Sequence, residues 1–348
     1  MGLKLHREVL TPQMMQYDDF DDRGSTHYLP YLMFANKTNY TSDVLNTDRY
    51  GFRFSHGPDG LRASPDSDIA KGPVRLFAGS SAAFGVGATS DAATIPSYLW
   101  SRYAPSTPWL NFGGRSFNST QEVVQMLLFR HLVPEIEEIV LFSGLNNLLL
   151  SRLPAWQQGD HGAFFYCNEY YDLMDELRAR HRKAGRRLWS RDRAQDGPER
   201  AEREPLPPMP ELIARSAELA ARHLQGWRQL TAGTGTRITY VLSPVATWVR
   251  DEPSEQEALI FKELDKLAAL GVSLEELFGD GTKAATGRSY AEALRAECDK
   301  QDVRFIDLSP ELAKVTTSED WLFVDRGHFT DHGHDVIAEL LAGMLSLR

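Results

Sequence analysis

The chain reads as an α/β protein, a three-layer α/β/α arrangement with a central, mainly parallel sheet and helices on both faces. Three observations predict this. Apolar runs at residues 74–78, 109–112 and 138–142 alternate with segments of helical spacing, the pattern of a parallel sheet crossed by helices. Each run is short and ends in small residues, at Gly79-Ser80-Ser81, Gly113-Gly114 and Ser143-Gly144, as a buried strand does before it turns. The polar motifs of this half all lie at those strand ends, where open α/β sheets bind their ligands.

The elements follow in order. Residues 1–70 are rich in Tyr, Asp, Asn and Gly, with little periodicity. Within them 46–53 reads as a turn and a short strand. This segment is expected to wrap a main domain at 71–348 rather than fold alone. Helical spacing marks 94–103 and 120–131. Residues 148–236 then interrupt the alternation as an insertion. In it, 170–183 reads as helical, and the charged, Pro-rich stretch 186–210 as a mobile or disordered loop. An amphipathic helix at 211–230 follows, with Leu212, Ala217 and Leu219 on its apolar side. Alternation resumes with a strand at 237–242, helices at 256–270 and 290–300, a strand at 303–308 and a closing helix at 331–347. No internal repeat is visible.

Composition narrows the function. A chain of 348 residues, 42% hydrophobic and 25% charged, has the make-up of a globular protein with one large α/β domain or two smaller ones. A net charge of −10 disfavours nucleic-acid partners and gives no general attraction to anionic membranes. Cys167 and Cys298 are too few for a disulfide framework; two reduced thiols are expected, a single bridge being the alternative. No Cys/His cluster calls for zinc, so neither metal nor cofactor is expected. The N-terminus is charged, and no stretch approaches the ~20 apolar residues of a spanning helix. The expectation is therefore a cytoplasmic protein, with a removed signal as the alternative. Asn-x-Thr triplets at Asn36, Asn39 and Asn118 mean little in such a compartment. Oligomeric state is not legible, and no coiled-coil heptads occur.

The most specific local feature is Asp325-Arg326-Gly327-His328, at the end of an apolar stretch and just before a helix. A carboxylate three residues before an imidazole can hold it as a general base for a nucleophile supplied from elsewhere. The plainer alternative is an Asp capping a turn beside a His that only packs. His332 and His334 invite a metal reading with His328, but Asp331 to His334 also reads as the first turn of the last helix, with His334 inward and His332 exposed. Upstream, Ser81 follows a strand at a turn where its hydroxyl and N–H can face one point. Gly114 could supply a backbone N–H with room for substrate, and Asn146 a side-chain amide. Three donors around one oxygen would form an oxyanion hole. Taken singly, each of these also reads as ordinary turn chemistry.

In this order the segments resemble the SGNH hydrolase superfamily, the GDSL-type esterases and lipases. Its first block, Gly-Asp-Ser followed by small residues and Phe-Gly-x-Gly, resembles residues 79–87 and places the nucleophile at Ser81 rather than Ser80. Its second resembles Gly114-Arg115-Ser116, its third, Gly-x-Asn-Asp, Gly144-Leu145-Asn146-Asn147, and its last, Asp-x-x-His, residues 325–334. The chain departs from the pattern at Ser80 and Asn147, where the family usually has Asp. The resemblance frames 74–348 and leaves the first 70 residues and the 148–236 insertion unexplained. It implies a flavodoxin-like fold, a triad of Ser81, Asp325 and His328, an oxyanion hole of Ser81, Gly114 and Asn146, and no cofactor. The implied function is a serine esterase cleaving a short acyl ester, acetyl foremost, on a carbohydrate or small metabolite. An acyltransferase with the same triad, and a non-catalytic glycan- or partner-binding protein, are the alternatives. The insertion's aromatics, Trp156, Phe164, Phe165, Tyr166, Tyr170 and Tyr171, could stack on sugar faces; a small satellite core is the expected reading.

Overall fold

The computed structural model describes residues 6–21, 29, 31–153, 157–166, 170, 173, 174, 176–179, 206–266, 268, 269, 272, 273 and 278–347. Among them, five strands form one parallel sheet: β1 Pro73–Gly79, β2 Trp109–Gly113, β3 Glu135–Ser143, β4 Arg237–Leu242 and β5 Arg304–Asp307. Their spatial order is β2-β1-β3-β4-β5, so the direction of winding reverses at β1. The crevice beyond the strand ends at such a reversal is the binding position of doubly wound sheets.

The helices that matter below are α1 Met14–Phe20, α2 Ser81–Phe84, α3 Ser119–Phe129, α4 Leu145–Leu150, α5 Met209–Leu230, α6 Glu255–Leu264, α7 Ala284–Asp299, α8 Leu308–Val315 and α9 Asp331–Met344. Rows of contacts join α3, α5 and α7 on one face of the sheet, while α9 packs on α8 and on residues 95–103 on the other. Because both faces are covered, strand side chains are buried whichever way they point, and β3 runs Ile139, Val140, Leu141, Phe142 without alternation. The N-terminal segment joins this core: Phe52 lies 4.6 Å from the Phe112 ring and edge-on to Phe129 at 5.1 Å.

The strands fall where the apolar runs place them; the helices differ in instructive ways. The helix expected at 94–103 is a single α-turn, Ile95–Tyr98, running into the π-helical Leu99–Tyr103. The one expected at 256–270 stops at Leu264, and short strands Ala268–Ala269 and Val272–Ser273 follow. The one expected from 290 begins at Ala284; Gly287 hid its first turn, and that glycine lies flat against the Trp248 ring, where a Cβ would fall 2.7 Å away. The strand expected to reach 308 ends at Asp307, whose carboxylate accepts the Ser309 N–H and caps the unforeseen α8. Near the N-terminus, Met14, Tyr17 and Phe20 are buried at three-residue spacing on α1, an order the polar composition concealed. The helix α5, grouped above with the insertion, serves as the crossover between β3 and β4. The 170–183 helix, most of the 186–210 loop, Trp156, Tyr171 and Cys167 lie largely or wholly outside the described residues. Cys298 is a buried free thiol, which burial pushes up to about 12. No described helix is long and apolar enough to cross a membrane.

Candidate active site

The site is built on the turn that leaves β1. Gly79 adopts φ +151°, and a Cβ there would sit 2.0 Å from the Phe142 carbonyl oxygen of the neighbouring strand, so no larger residue fits. Ser80 is extended and Ser81 opens the one-turn helix α2, which leaves the Ser81 N–H without an intrahelical partner. The chain therefore presents the Ser81 hydroxyl and N–H together, at the carboxyl end of the sheet.

The imidazole arrives from the C-terminal loop. Ser81 Oγ lies 2.6 Å from His328 Nε2, and His328 Nδ1 lies 2.7 Å from Asp325 Oδ2. With its proton on Nδ1, the imidazole donates to the carboxylate and accepts the serine hydroxyl's hydrogen. The other carboxylate oxygen, Oδ1, accepts the Gly327 and His328 N–H groups, each at 2.8 Å. Burial raises the Asp325 pKa, but the adjacent His328 charge and these hydrogen bonds outweigh it, so the carboxyl sits below its ordinary value.

That loop is tied at both ends. Val324 N–H donates to His328 O at 2.9 Å, and Phe323 and Phe329 form an antiparallel bridge. Glu257 of α6, its side chain wholly buried, accepts Leu322 N–H at 2.9 Å and Phe323 N–H at 3.0 Å through Oε1. Its Oε2 accepts Ser254 N–H, completing that helix's capping box, and pairs with Arg250 at 2.7 Å. Arg326 grips Asp265 with two bonds, of 2.9 and 2.6 Å. Thr89, beyond the Ser81 turn, binds Asp331 through its N–H at 2.7 Å, joining the two loops directly.

Asn146 lies in the first turn of α4, half-buried. One of its amide hydrogens goes to Phe117 O at 2.7 Å; an amide has two, so one is left over. Asn147, where the resembled pattern has Asp, is tied to Ser119. Its Oδ1 accepts Ser119 N–H at 3.0 Å and its Nδ2 donates to Ser119 Oγ at 2.8 Å. Ser119 Oγ also meets His223 Nδ1 of α5 at 2.8 Å. Burial lowers the His223 pKa to about 4, so that imidazole is neutral and the network carries no charge.

Gly114 is the exception. Its N–H donates to Gly79 O at 2.9 Å, extending the β1–β2 ladder by one residue. Its neighbours are engaged too: Gly113 N–H by Asn111 Oδ1 at 2.9 Å and Arg115 N–H by Asn36 Oδ1 at 3.2 Å. The expectation that Gly114 N–H faces the Ser81 hydroxyl is therefore not met, because the parallel register claims it first. The two C-terminal histidines separate as expected: His334 is fully buried against Phe329, while His332 is exposed, 3.4 Å from Asp320. Burial lowers the His334 pKa to about 3. Among the described residues no group of three His, Cys, Asp or Glu could hold a metal ion.

Beyond Gly114 the surface dips into a cavity of about 70 Å³, its walls including Phe34, Asn36, Arg115, Ser116, Phe164 and Tyr166. Phe164, Phe165 and Tyr166 pack partly buried against Leu32, Phe34 and Phe117, which is the satellite core expected above. Sequence reading missed Glu257, Asn36 and the Ser119–His223 pair. Of these, only the Ser254–Glu257 capping-box spacing carried a signal.

No protein-family model and no curated protein matches the chain. Solved structures similar to it include the acetyl xylan esterase AlAXEase, at 12% identity and TM-score 0.42 over 78% of this chain and 99% of that one. Est24, a carbohydrate acetylesterase from Sinorhizobium meliloti, matches at 9% identity and TM-score 0.44 over 79% and 98%. A member of the lipolytic G-D-S-L family from Veillonella parvula matches at 12% identity and TM-score 0.41, also over 79% and 98%. Likeness this distant carries no argument about chemistry, which rests instead on the distances between Ser81, His328 and Asp325.

Proposed function

We propose that this chain is a serine esterase that hydrolyses a short acyl ester, acetyl foremost, on a carbohydrate or small metabolite. The observation that supports it is the unbroken run from Ser81 Oγ through His328 to Asp325 Oδ2, with contacts of 2.6 and 2.7 Å. In this reading His328 Nε2 takes the Ser81 proton as Oγ attacks the ester carbonyl. The resulting oxyanion is held by the Ser81 N–H and the second amide hydrogen of Asn146. His328 returns the proton to the leaving alcohol, which departs and leaves an acyl-Ser81 ester. Water, deprotonated by His328, then attacks that ester and releases the acid and free Ser81. Asp325 keeps Nδ1 protonated and stabilises the imidazolium in both halves.

Hydrolysis of p-nitrophenyl acetate, butyrate and octanoate by the wild type and Ser81→Ala tests the reading. The expected result is turnover that falls with chain length and vanishes in the variant. Equal cleavage by Ser81→Ala would overturn it.

A further inference from the structure

We propose that Arg53, on the N-terminal segment, is a positioning residue for the nucleophile. It does not touch Ser81; it holds the carbonyls that end the Ser81 helix. Helix α2 has one turn, too short to persist unaided, and its terminal carbonyls need donors from outside. Arg53 supplies them. Its side chain is wholly buried, with Nη1 2.8 Å from Gly85 O and 3.3 Å from Phe84 O. A guanidinium at that end also opposes the negative pole of the helix.

The guanidinium is itself fixed on every edge. Its Nε donates to Asp91 Oδ1 at 2.7 Å, Nη2 to Val44 O at 2.9 Å, and Nη1 also to the Tyr17 hydroxyl at 2.9 Å. Asp91 in turn accepts the N–H and side-chain amide of Asn46, at 3.1 and 2.8 Å. Tyr17, on α1, places its hydroxyl 2.9 Å from Gly85 O and 2.8 Å from Ala88 O. Residues 46–53 form a turn closed by isolated bridges rather than the short strand expected, and its two ends, Asn46 and Arg53, close on one carboxylate while Arg53 reaches through to the Ser81 turn. The N-terminal segment is in this sense part of the catalytic unit, and the catalytic consequence rests on the serine-esterase reading.

The test uses the full chain with Arg53→Met, Arg53→Lys and Tyr17→Phe. Arg75→Met serves as control, since it breaks an ion pair of 3.1 Å at the other end of β1. Two readouts are taken: hydrogen exchange of the amides of residues 82–88, which needs no substrate, and ester hydrolysis with fluorophosphonate labelling of Ser81. Expected for Arg53→Met are faster exchange confined to 82–88 and kcat lower by about 10²-fold with KM within about threefold, as for a displaced reacting group. Arg53→Lys should recover part of the rate, Tyr17→Phe should lose roughly five- to tenfold, and Arg75→Met should change neither readout. If Arg53→Met does not fold, Tyr17→Phe and Arg53→Lys decide. Unchanged exchange in a folded variant, or faster exchange with unchanged kcat and labelling, overturns the proposal. A wild type that neither hydrolyses esters nor labels overturns the esterase reading instead, while the exchange still reports whether Arg53 holds the turn.

Discussion

The two halves of the candidate site are held in opposite ways. The Asp325–His328 half is a local object: its central contacts span three residues, and the Asp325 carboxylate is filled by N–H groups of its own turn. The Ser81 half is a single helical turn whose holds come from Tyr17, Arg53 and Asn111, the last donating to Phe84 O at 3.1 Å. The loop around the first is held from Glu257, Asp265 and Thr89, but the Asp325–His328 contact itself closes within one turn. The second draws two of its three side-chain holds, Tyr17 and Arg53, from the N-terminal segment.

The sharpest way to break the comparison is to remove each half. Ser81→Ala should lower kcat for a p-nitrophenyl ester by about 10⁶-fold with the fold intact, because the members of such a relay act as one unit. Asp325→Asn should cost about 10⁴-fold, since the amide cannot hold Nδ1 protonated. Residual activity well above that level would mean that the local half matters less than its geometry implies. Asn146→Ala should reduce kcat by about 10²-fold with little change in KM, the effect of losing one oxyanion donor. A drop confined to KM would place Asn146 on the substrate rather than the oxyanion.

The supports are read by stability. Glu257→Ala takes the carboxylate from Arg250 and leaves two loop N–H groups unpaired in the interior, and should destabilise the protein by about 3–5 kcal/mol in urea unfolding. A loss under 1 kcal/mol would show that water replaces the carboxylate there. A further effect on stability concerns pH. Glu122, buried on α3, accepts the Ser143 hydroxyl at 2.7 Å; burial raises its pKa to about 8, the Ser143 bond opposing only in part. A carboxyl protonated in the fold but ionised when unfolded stabilises fully below its unfolded pKa, and that stability is lost as pH rises through the folded pKa. Unfolding free energy should therefore fall by roughly 1 kcal/mol per pH unit between about pH 5 and 8, and Glu122→Gln should flatten that slope. Asp325 has the opposite sign: with its folded pKa lowered, its contribution is present above the unfolded value and is lost as pH falls through the folded one.

Much of the fold was legible because its signals are local. The strands at 74–78, 109–112 and 138–142 announce themselves by apolar runs closed with glycine and serine, and their alternation with helices entails a parallel sheet. Helix ends were less legible where tertiary contacts decide them, as with Gly287 against Trp248. Of the site, the Asp325–His328 pair could be proposed from spacing alone, since three residues bring a carboxylate and an imidazole onto one turn. That Ser81 meets His328, 247 positions away, was implied by the resemblance in motif order and by no local pattern; the fold brings the two together. Gly114 shows the converse. Its type and place marked it as a donor, but an N–H has one hydrogen, and the register of β2 on β1 directs it to Gly79. Arg53 sits in a stretch that read as a turn and short strand. The amino-acid sequence determined which groups the chain has and which of them share a turn. Tertiary structure decided which donors remain free and what buttresses Ser81, because hydrogen bonds between distant segments depend on packing that no local pattern encodes.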